Sequence, residues 1–239
     1  MTMMKNKIIV ALDVDSAEEA ALWAHRLKDK VGMFKIGKQL FTAAGPDIVR
    51  RVRSEGGEVF LDLKYHDIPN TVAAAAVEAV RLGASMFNVH ASGGFEMMSK
   101  TAEAVRDEAE RLDIKKPVLI AVTVLTSMNE EGLRETGVTV PLTEHVINLA
   151  KLAKKAGLDG VVASPHEIEA IKNACGSEFV VVTPGVRPTF ASKDDQRRIM
   201  TPAEAVKKGA DYLVIGRPIT KADDPIEAVS LITEEICQE

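Results

Sequence analysis

The segment KKGADYLVIGR, residues 207–217, contains the unit from which the fold can be inferred. Gly209 follows a stretch with helical spacing, and it stands where the end of a helix needs a left-handed residue. The run Tyr212–Ile215 that comes next is apolar at every position. A strand without polar alternation is typical of a parallel sheet that is covered on both faces. The segment therefore predicts a helix, a short turn and a buried parallel strand.

The same unit recurs along the chain. The joins Leu82-Gly83-Ala84 and Ala156-Gly157-Leu158 repeat the glycine turn, and Ser16 with Glu19 predicts a capping box at a helix start. Short β-rich runs occur at Lys7–Asp13, Gly32–Gly37, Glu58–Leu63, Ser85–His90, Pro117–Leu125, Gly160–Ala163, Phe179–Thr183 and Tyr212–Gly216. Eight strands alternating with helices in 239 residues predict a single-domain (β/α)₈ TIM barrel over residues 1–239. An open dinucleotide-binding sheet is the weaker alternative, because no Gly-x-Gly-x-x-Gly follows the first strand.

Composition indicates which classes of partner are not expected for this chain and in which cellular compartment it works. The net charge is −5 without a basic block, which argues against nucleic-acid and membrane-surface partners. Cys175 and Cys237 lie far apart, so a disulfide framework is not expected and a reducing compartment fits best. The first apolar run ends at Asp13, too early for a signal peptide or a membrane span. We expect a cytoplasmic protein.

Polar residues gather where the predicted strands end. In such barrels the chemistry lies at the carboxyl ends of the strands. The residues at or just beyond these ends are Asp13, Lys35, Asp62, Lys64, Asp67, Thr126, Ser127, Arg187, Gly216 and Arg217. Their accumulation on one rim predicts an active site there.

The third strand carries the sharpest signal, Asp62-Leu63-Lys64. Residues two apart on a strand share one face, so Asp62 and Lys64 are expected in the barrel interior and Leu63 towards the helices. A structural ion pair is the plain alternative, but Lys35 on the neighbouring strand adds more charge than one such pair needs. Asp67 has two interpretations, a site residue or a cap for the helix that begins near Pro69.

The loops after the last two strands predict a phosphate site. Thr183–Pro188 and Val214–Ile219 each combine glycine with an arginine, and Gly216 with Arg217 is suited to a close approach by an anion. Two solvated arginines beside turn glycines are the alternative. The polar segment 189–196 is long for such a loop, which indicates either a lid over bound substrate or an exposed surface loop. No metal site is predicted, because His66 and His90 have no further ligand at useful spacing.

These motifs together resemble orotidine 5′-phosphate decarboxylases of the bacterial type. The resemblance runs in order over essentially the whole chain and rests on Phe34–Gly37, Asp62–Thr71, Asn88–Ala91, Leu125–Ser127, Thr183–Arg187 and Ile215–Arg217. It implies conversion of orotidine 5′-phosphate to uridine 5′-phosphate and CO₂, the last step of de novo pyrimidine synthesis. It also implies that no cofactor or metal is used, and that a homodimer forms with active sites at the subunit interface.

The same resemblance implies roles for single residues. Lys64 would give a proton to C6 within an array of Lys35, Asp62, Lys64 and Asp67. Asp67, Ile68 and Thr71 would reach in from the partner subunit. The remaining substrate contacts would be Asp13 and Lys35 to the ribose, Thr126 and Ser127 at the pyrimidine, and Pro184, Arg187, Gln196, Gly216 and Arg217 towards the phosphate.

Two other functions compete with this expectation. The sister barrels that act as metal-dependent sugar-phosphate decarboxylases or aldolases share the third-strand motif, but they have a Glu where this chain has Lys35, and an ammonium is the wrong charge beside a cation. A non-catalytic nucleotide-binding barrel would have no need to bury the lysine–aspartate array.

Overall fold

A computed structural model describes residues 2–191 and 200–237. Within these ranges the parallel strands pair in chain order, and β1 also pairs with β8, which closes the barrel. The strands are β1 Ile8–Ala11, β2 Met33–Gly37, β3 Val59–Tyr65, β4 Met86–His90, β5 Val118–Val122, β6 Gly160–Val162, β7 Val180–Pro184 and β8 Tyr212–Ile215. The predicted TIM-barrel class is confirmed, with strand ends shifted by a few residues.

Helices surround this barrel on its outer side. They are α1 Thr2–Lys5, α2 Ala17–Leu27, α3 Lys38–Ala44, α4 Asp47–Ser54, α5 Pro69–Arg81, α6 Gly94–Arg111, α7 Glu130–Glu135, α8 Leu142–Lys155, α9 Ile168–Cys175, α10 Pro202–Lys207, α11 Arg217–Thr220 and α12 Pro225–Cys237. Across the described ranges, no helix combines the length and the apolar character that crossing a membrane would require.

The glycine joins have the predicted backbone. Gly83, Gly157 and Gly209 have φ values of 84°, 87° and 106°, a region in which a side chain is strained. The Ser16 hydroxyl accepts a hydrogen bond of 3.1 Å from the Glu19 N–H, which confirms the start of α2. A capping box also needs the Glu19 side chain to accept a hydrogen bond from the Ser16 N–H. That bond is absent from the described contacts of α2, so this part of the prediction is wrong.

An apolar layer fills the barrel interior. Ile9, Phe60, Met86, Ile120 and Val182 pack together there, and each is at most 1% exposed. A separate and larger apolar cluster lies between the strands and the helices. This interior layer excludes water from the barrel directly below the polar residues at the carboxyl ends of the strands.

Side chains along β3 alternate between these two regions. Phe60 belongs to the interior layer, whereas Leu61, Leu63 and Tyr65 pack against the outer cluster. The side chains between them therefore face the barrel interior, as predicted from their spacing. Because of this alternation, Asp62 and Lys64 line a cavity at the carboxyl end of the barrel.

A charged cluster joins the helices that follow β3 and β4. Glu108 on α6 is 7% exposed and accepts hydrogen bonds from Arg111 on its own helix and from Arg81 on α5, both with contacts of 2.6–2.8 Å. The hydrogen bonds from Arg111 and Arg81 lower the pKa of Glu108 to about 2. The cluster fixes α5 against α6 and so stabilises the outer wall behind β3 and β4.

Candidate active site

Four charged side chains meet at the carboxyl ends of the first three strands. The Lys64 Nζ lies 2.6 Å from Asp62 Oδ1. The Lys35 Nζ, on β2, lies 3.5 Å from Asp62 Oδ2 and 3.4 Å from Asp13 Oδ1. Positive and negative groups thus alternate in space, which lowers the cost of holding them away from water.

The inner members of this array are shielded from solvent. The side chains of Lys35 and Asp62 are each 12% exposed and that of Lys64 is 23% exposed, whereas Asp13 at the outer end is 70% exposed. Electrostatic interactions are stronger in such a partly desolvated site than in water. The array is therefore suited to act on charge that develops at a bound ligand.

Backbone geometry at Lys64 is unusual. Its φ is 54°, in the left-handed region that side chains rarely adopt. The pairing of β3 with β4 shifts register at the same place, from Leu61↔Phe87 to Tyr65↔Val89. Strain of this kind persists where the surrounding structure holds it, and it occurs often at functional sites.

A buried amide bridges this irregular stretch. The Asn88 side chain on β4 accepts a 2.8 Å hydrogen bond from the Lys64 N–H and donates a 2.7 Å hydrogen bond to Asp62 Oδ1. Asn88 is fully buried. The sequence places this residue within a family motif but predicts no role for it; the available signal is a polar side chain inside an otherwise apolar strand.

A narrow cavity of about 180 Å³ opens above the array. Its walls are mainly apolar, from Phe60, Val122, Val162 and Val214. Lys35, Asp62 and Lys64 lie on one side of it, and Val124, Leu125, Thr126 and Pro184 complete the lining. The structure thus brings Thr126 and Pro184 to the array, whereas Ser127 lies beside them on the exposed loop. A flat apolar ring with a few polar edges suits this shape.

A second, cationic cavity of about 410 Å³ lies beyond β7 and β8. Arg187, Arg217 and Lys221 line it together with Phe190. Among the described residues neither guanidinium forms an ion pair, so both are available to an anion. Gly216 directly precedes Arg217, and a Cβ at this position would lie 3.7 Å from Asp13 Oδ2, so this glycine is also close to the array. Lys221 is not predicted from the sequence, because it lies past the loop, at the end of α11.

The predicted lid falls largely on residues that the structure does not describe. Gln196 is one of them and lies outside the described ranges. The start of the segment is described: the N–H and the hydroxyl of Thr189 both donate to Glu235 Oε2 at 3.1 Å.

The rings of the two rim histidines lie against each other. The rings of His66 and His90 lie 5.7 Å apart. Burial lowers the pKa of His90 most, and the nearby His66, Lys38 and Lys64 lower it further. Within residues 2–191 and 200–237, no three His, Cys, Asp or Glu side chains form a group that could hold a metal ion.

Comparisons with known proteins give the family. Residues 6–232 match the model of the orotidine 5′-phosphate decarboxylase / HUMPS family. This chain belongs to that family. A relative from Trichlorobacter lovleyi, named orotidine 5′-phosphate decarboxylase, is 62% identical over 97% of this chain and 95% of its own length. One of the same name from Geotalea daltonii is 60% identical over 96% of this chain and 95% of its own.

Solved structures in the family have the same fold. The crystal structure of orotidine 5′-phosphate decarboxylase from Lactobacillus acidophilus superposes with a TM-score of 0.85 at 38% identity, and covers 96% of this chain and 98% of that one. The resemblance to this family that the sequence motifs indicate is therefore confirmed on independent grounds.

Asp67 does not join the array within one chain of this family member. Its Oδ1 accepts a 2.7 Å hydrogen bond from the Ile68 N–H, and in the described part of the chain its carboxylate makes no ion pair with Lys64 or Lys35. Ile68, rather than Asp67, is the N-cap of α5, so the capping alternative is wrong. Asp67, Ile68 and Thr71 are all exposed.

We expect Lys64→Gly to be more stable to denaturant than Lys64→Ala. Both variants remove the ammonium, but only alanine keeps a Cβ in the left-handed region, at a cost of about 1–2 kcal/mol. This exceeds the roughly 0.5–1 kcal/mol by which glycine is ordinarily inferior to alanine. Urea unfolding of both proteins measures the difference.

The matched control is Lys151, an exposed residue within α8. There the usual order should hold, with Lys151→Ala more stable than Lys151→Gly. The same order at both positions would contradict the strain assigned to Lys64.

Proposed function

We propose that this chain decarboxylates orotidine 5′-phosphate to uridine 5′-phosphate and CO₂, without a metal or cofactor, as the last step of pyrimidine nucleotide synthesis. The observation that carries the proposal is the Lys64 ammonium at the wall of a narrow, mainly apolar cavity. It lies 2.6 Å from Asp62, and the other oxygen of the same carboxylate lies 3.5 Å from the Lys35 ammonium. The relatives that match over nearly the whole chain carry the name of this activity.

Chemistry at the array follows from its charges. When the bond between C6 and the carboxylate breaks, the electron pair stays on C6 and CO₂ leaves. The Lys64 ammonium stabilises that developing negative charge and then transfers a proton to C6. Asp62 and Lys35 hold the ammonium in place before the reaction, so little reorganisation is needed as the charge develops.

Binding energy from the far end of the substrate supports this step. The phosphate would bind between Arg187 and Arg217, beside Gly216, with Gln196 contacting it from the predicted lid. The pyrimidine would occupy the apolar cavity near Thr126, Ser127 and Pro184. Asp13 and Lys35 would hold the ribose hydroxyls. Contacts remote from the reacting carbon can thereby contribute to catalysis by orienting the ring against Lys64.

The position of Lys35 argues against the metal-dependent alternative. Its ammonium lies between the Asp13 and Asp62 carboxylates, at 3.4 and 3.5 Å. A divalent cation would need those carboxylates as oxygen ligands, and the lysine repels it from between them. The non-catalytic alternative leaves the desolvated array without a purpose, since buried charge is costly and a binder does not require it.

We also propose a homodimer in which each active site uses a loop from the partner. Asp67 is exposed, and in the described part of the chain its carboxylate accepts a hydrogen bond from the Ile68 N–H without pairing with the lysines of the array. The neighbouring Ile68 is an apolar residue that is 66% exposed. Packing this loop against a second copy would bury Ile68 and bring a carboxylate towards the partner's lysines. In this proposal the whole chain, residues 1–239, is one catalytic domain that works in the cytoplasm.

Turnover of orotidine 5′-phosphate by EDTA-treated protein, followed by ultraviolet absorbance, tests the activity. We expect full turnover after chelation and a loss of at least ~10³-fold in kcat for Lys64→Ala, because proton donor and charge stabilisation are removed together. Lys151→Ala serves as the control for loss of a lysine elsewhere. Turnover only with added magnesium would favour the metal-dependent alternative, and an inactive parent would favour the binder.

Mixing Lys64→Ala with Asp67→Ala tests the shared site. Each variant alone should be inactive, but a mixed dimer contains one site with Lys64 from one subunit and Asp67 from the other. After random subunit exchange, we expect recovery of about a quarter of parental activity, since half the dimers are mixed and each has one intact site. If the activity of the mixture were no higher than that of the separate variants, Asp67 would act within its own chain.

A further inference from the structure

Asn88 is the polar side chain that lies behind the reactive pair. It sits in the middle of β4, between Phe87 and Val89, which pack towards the helices. Its own side chain therefore faces the barrel interior, and it is 0% exposed. A fully buried amide is stabilised only if its hydrogen-bonding groups find partners, so its contacts are informative.

The backbone of β3 has an N–H group at Lys64 that the regular strand pairing does not satisfy. Between the pairs Leu61↔Phe87 and Tyr65↔Val89, β3 advances by two residues more than β4 does. The regular ladder is interrupted over this stretch, as in a β-bulge, and backbone groups there lose their usual partners. The Lys64 N–H is one of them, and Asn88 Oδ1 accepts its hydrogen at 2.8 Å.

The same amide also holds the carboxylate of the array. Asn88 Nδ2 donates to Asp62 Oδ1 at 2.7 Å, and this is the oxygen that receives the Lys64 ammonium at 2.6 Å. A carboxylate only accepts and a backbone N–H only donates, so these two partners determine the orientation of the amide. One side chain thus contacts the backbone of the lysine and the side chain of its counterion.

We propose that Asn88 is a positioning residue for the decarboxylation: its amide holds the left-handed Lys64 backbone and the Asp62 carboxylate in one geometry, and so aims the Lys64 ammonium into the cavity. The inference rests on the proposed function. Without the amide, the Lys64 N–H has no partner, its strained conformation has less support, and Asp62 gains freedom to rotate. The residues proposed to hold the phosphate and the ribose lie on or after other strands, and the described hydrogen bonds of Asn88 go to Lys64 and Asp62.

Two variants separate positioning from folding. Asn88→Ala removes both contacts. Asn88→Asp keeps the acceptor for the Lys64 N–H and the side-chain shape, but replaces the donor by a second carboxylate against Asp62. We expect kcat to fall by about 10²-fold in both, because a misplacement of about 1 Å at the reacting groups has that effect. KM for orotidine 5′-phosphate and the affinity for uridine 5′-phosphate should change by less than about threefold.

Thr101→Val is the matched control. Thr101 is also fully buried and donates its hydroxyl hydrogen to Met97 O within α6, away from the array. Its loss should lower thermal stability while kcat stays within about twofold of the parent, whereas a purely structural Asn88 would give variants whose activity follows stability in the same way.

Amide exchange in the unaltered protein adds a test that needs no variant. In ¹⁵N-lysine-labelled protein, the Lys64 amide should exchange slowly, because its partner is a buried side chain. Fast exchange at Lys64, or kcat within about threefold of the parent in a folded Asn88 variant, would overturn the proposal. A parent without turnover would instead overturn the proposed decarboxylation, and the role of Asn88 with it.

Discussion

The ion pair between Lys64 and Asp62, whose Nζ and Oδ1 atoms lie 2.6 Å apart inside the mouth of the barrel, is stable only if neighbouring residues support it. Charged groups removed from water are stable only with partners and further hydrogen bonds. Lys35 supplies a second cation, Asp13 a second anion, and Asn88 a neutral donor to the shared carboxylate oxygen. Because the members compensate one another, the Lys64 ammonium can be held at low exposure beside the cavity.

The rest of the barrel maintains that arrangement. The interior apolar layer closes the floor of the cavity, and the alternation of β3 directs both charged side chains above it. The outer wall is fixed by helices such as α5 and α6, joined through Glu108. On the far side, Arg187 and Arg217 line a separate cationic cavity. A substrate bound at both ends would be oriented against the lysine with little freedom to move.

Much of this could be predicted from the sequence. Apolar runs and glycine joins are local signals, and they identified the strands and the barrel; the spacing of Asp62 and Lys64 identified the face they share. The left-handed backbone of Lys64 and the hydrogen bonds of Asn88 could not be predicted, because both arise where the register shifts between two strands. The position of Asp67 outside the array of its own chain also could not be predicted from spacing alone, and Lys221 reaches the cationic cavity only through the turn of α11.

A crystal structure with uridine 5′-phosphate bound is the most direct test of where the Lys64 ammonium points. We predict that Lys64 Nζ lies within about 3.5 Å of C6, with Asn88 bridging Asp62 and the Lys64 N–H, and with the phosphate between Arg187 and Arg217. A pyrimidine ring bound away from Lys64, or a phosphate bound elsewhere on the barrel, would contradict this arrangement.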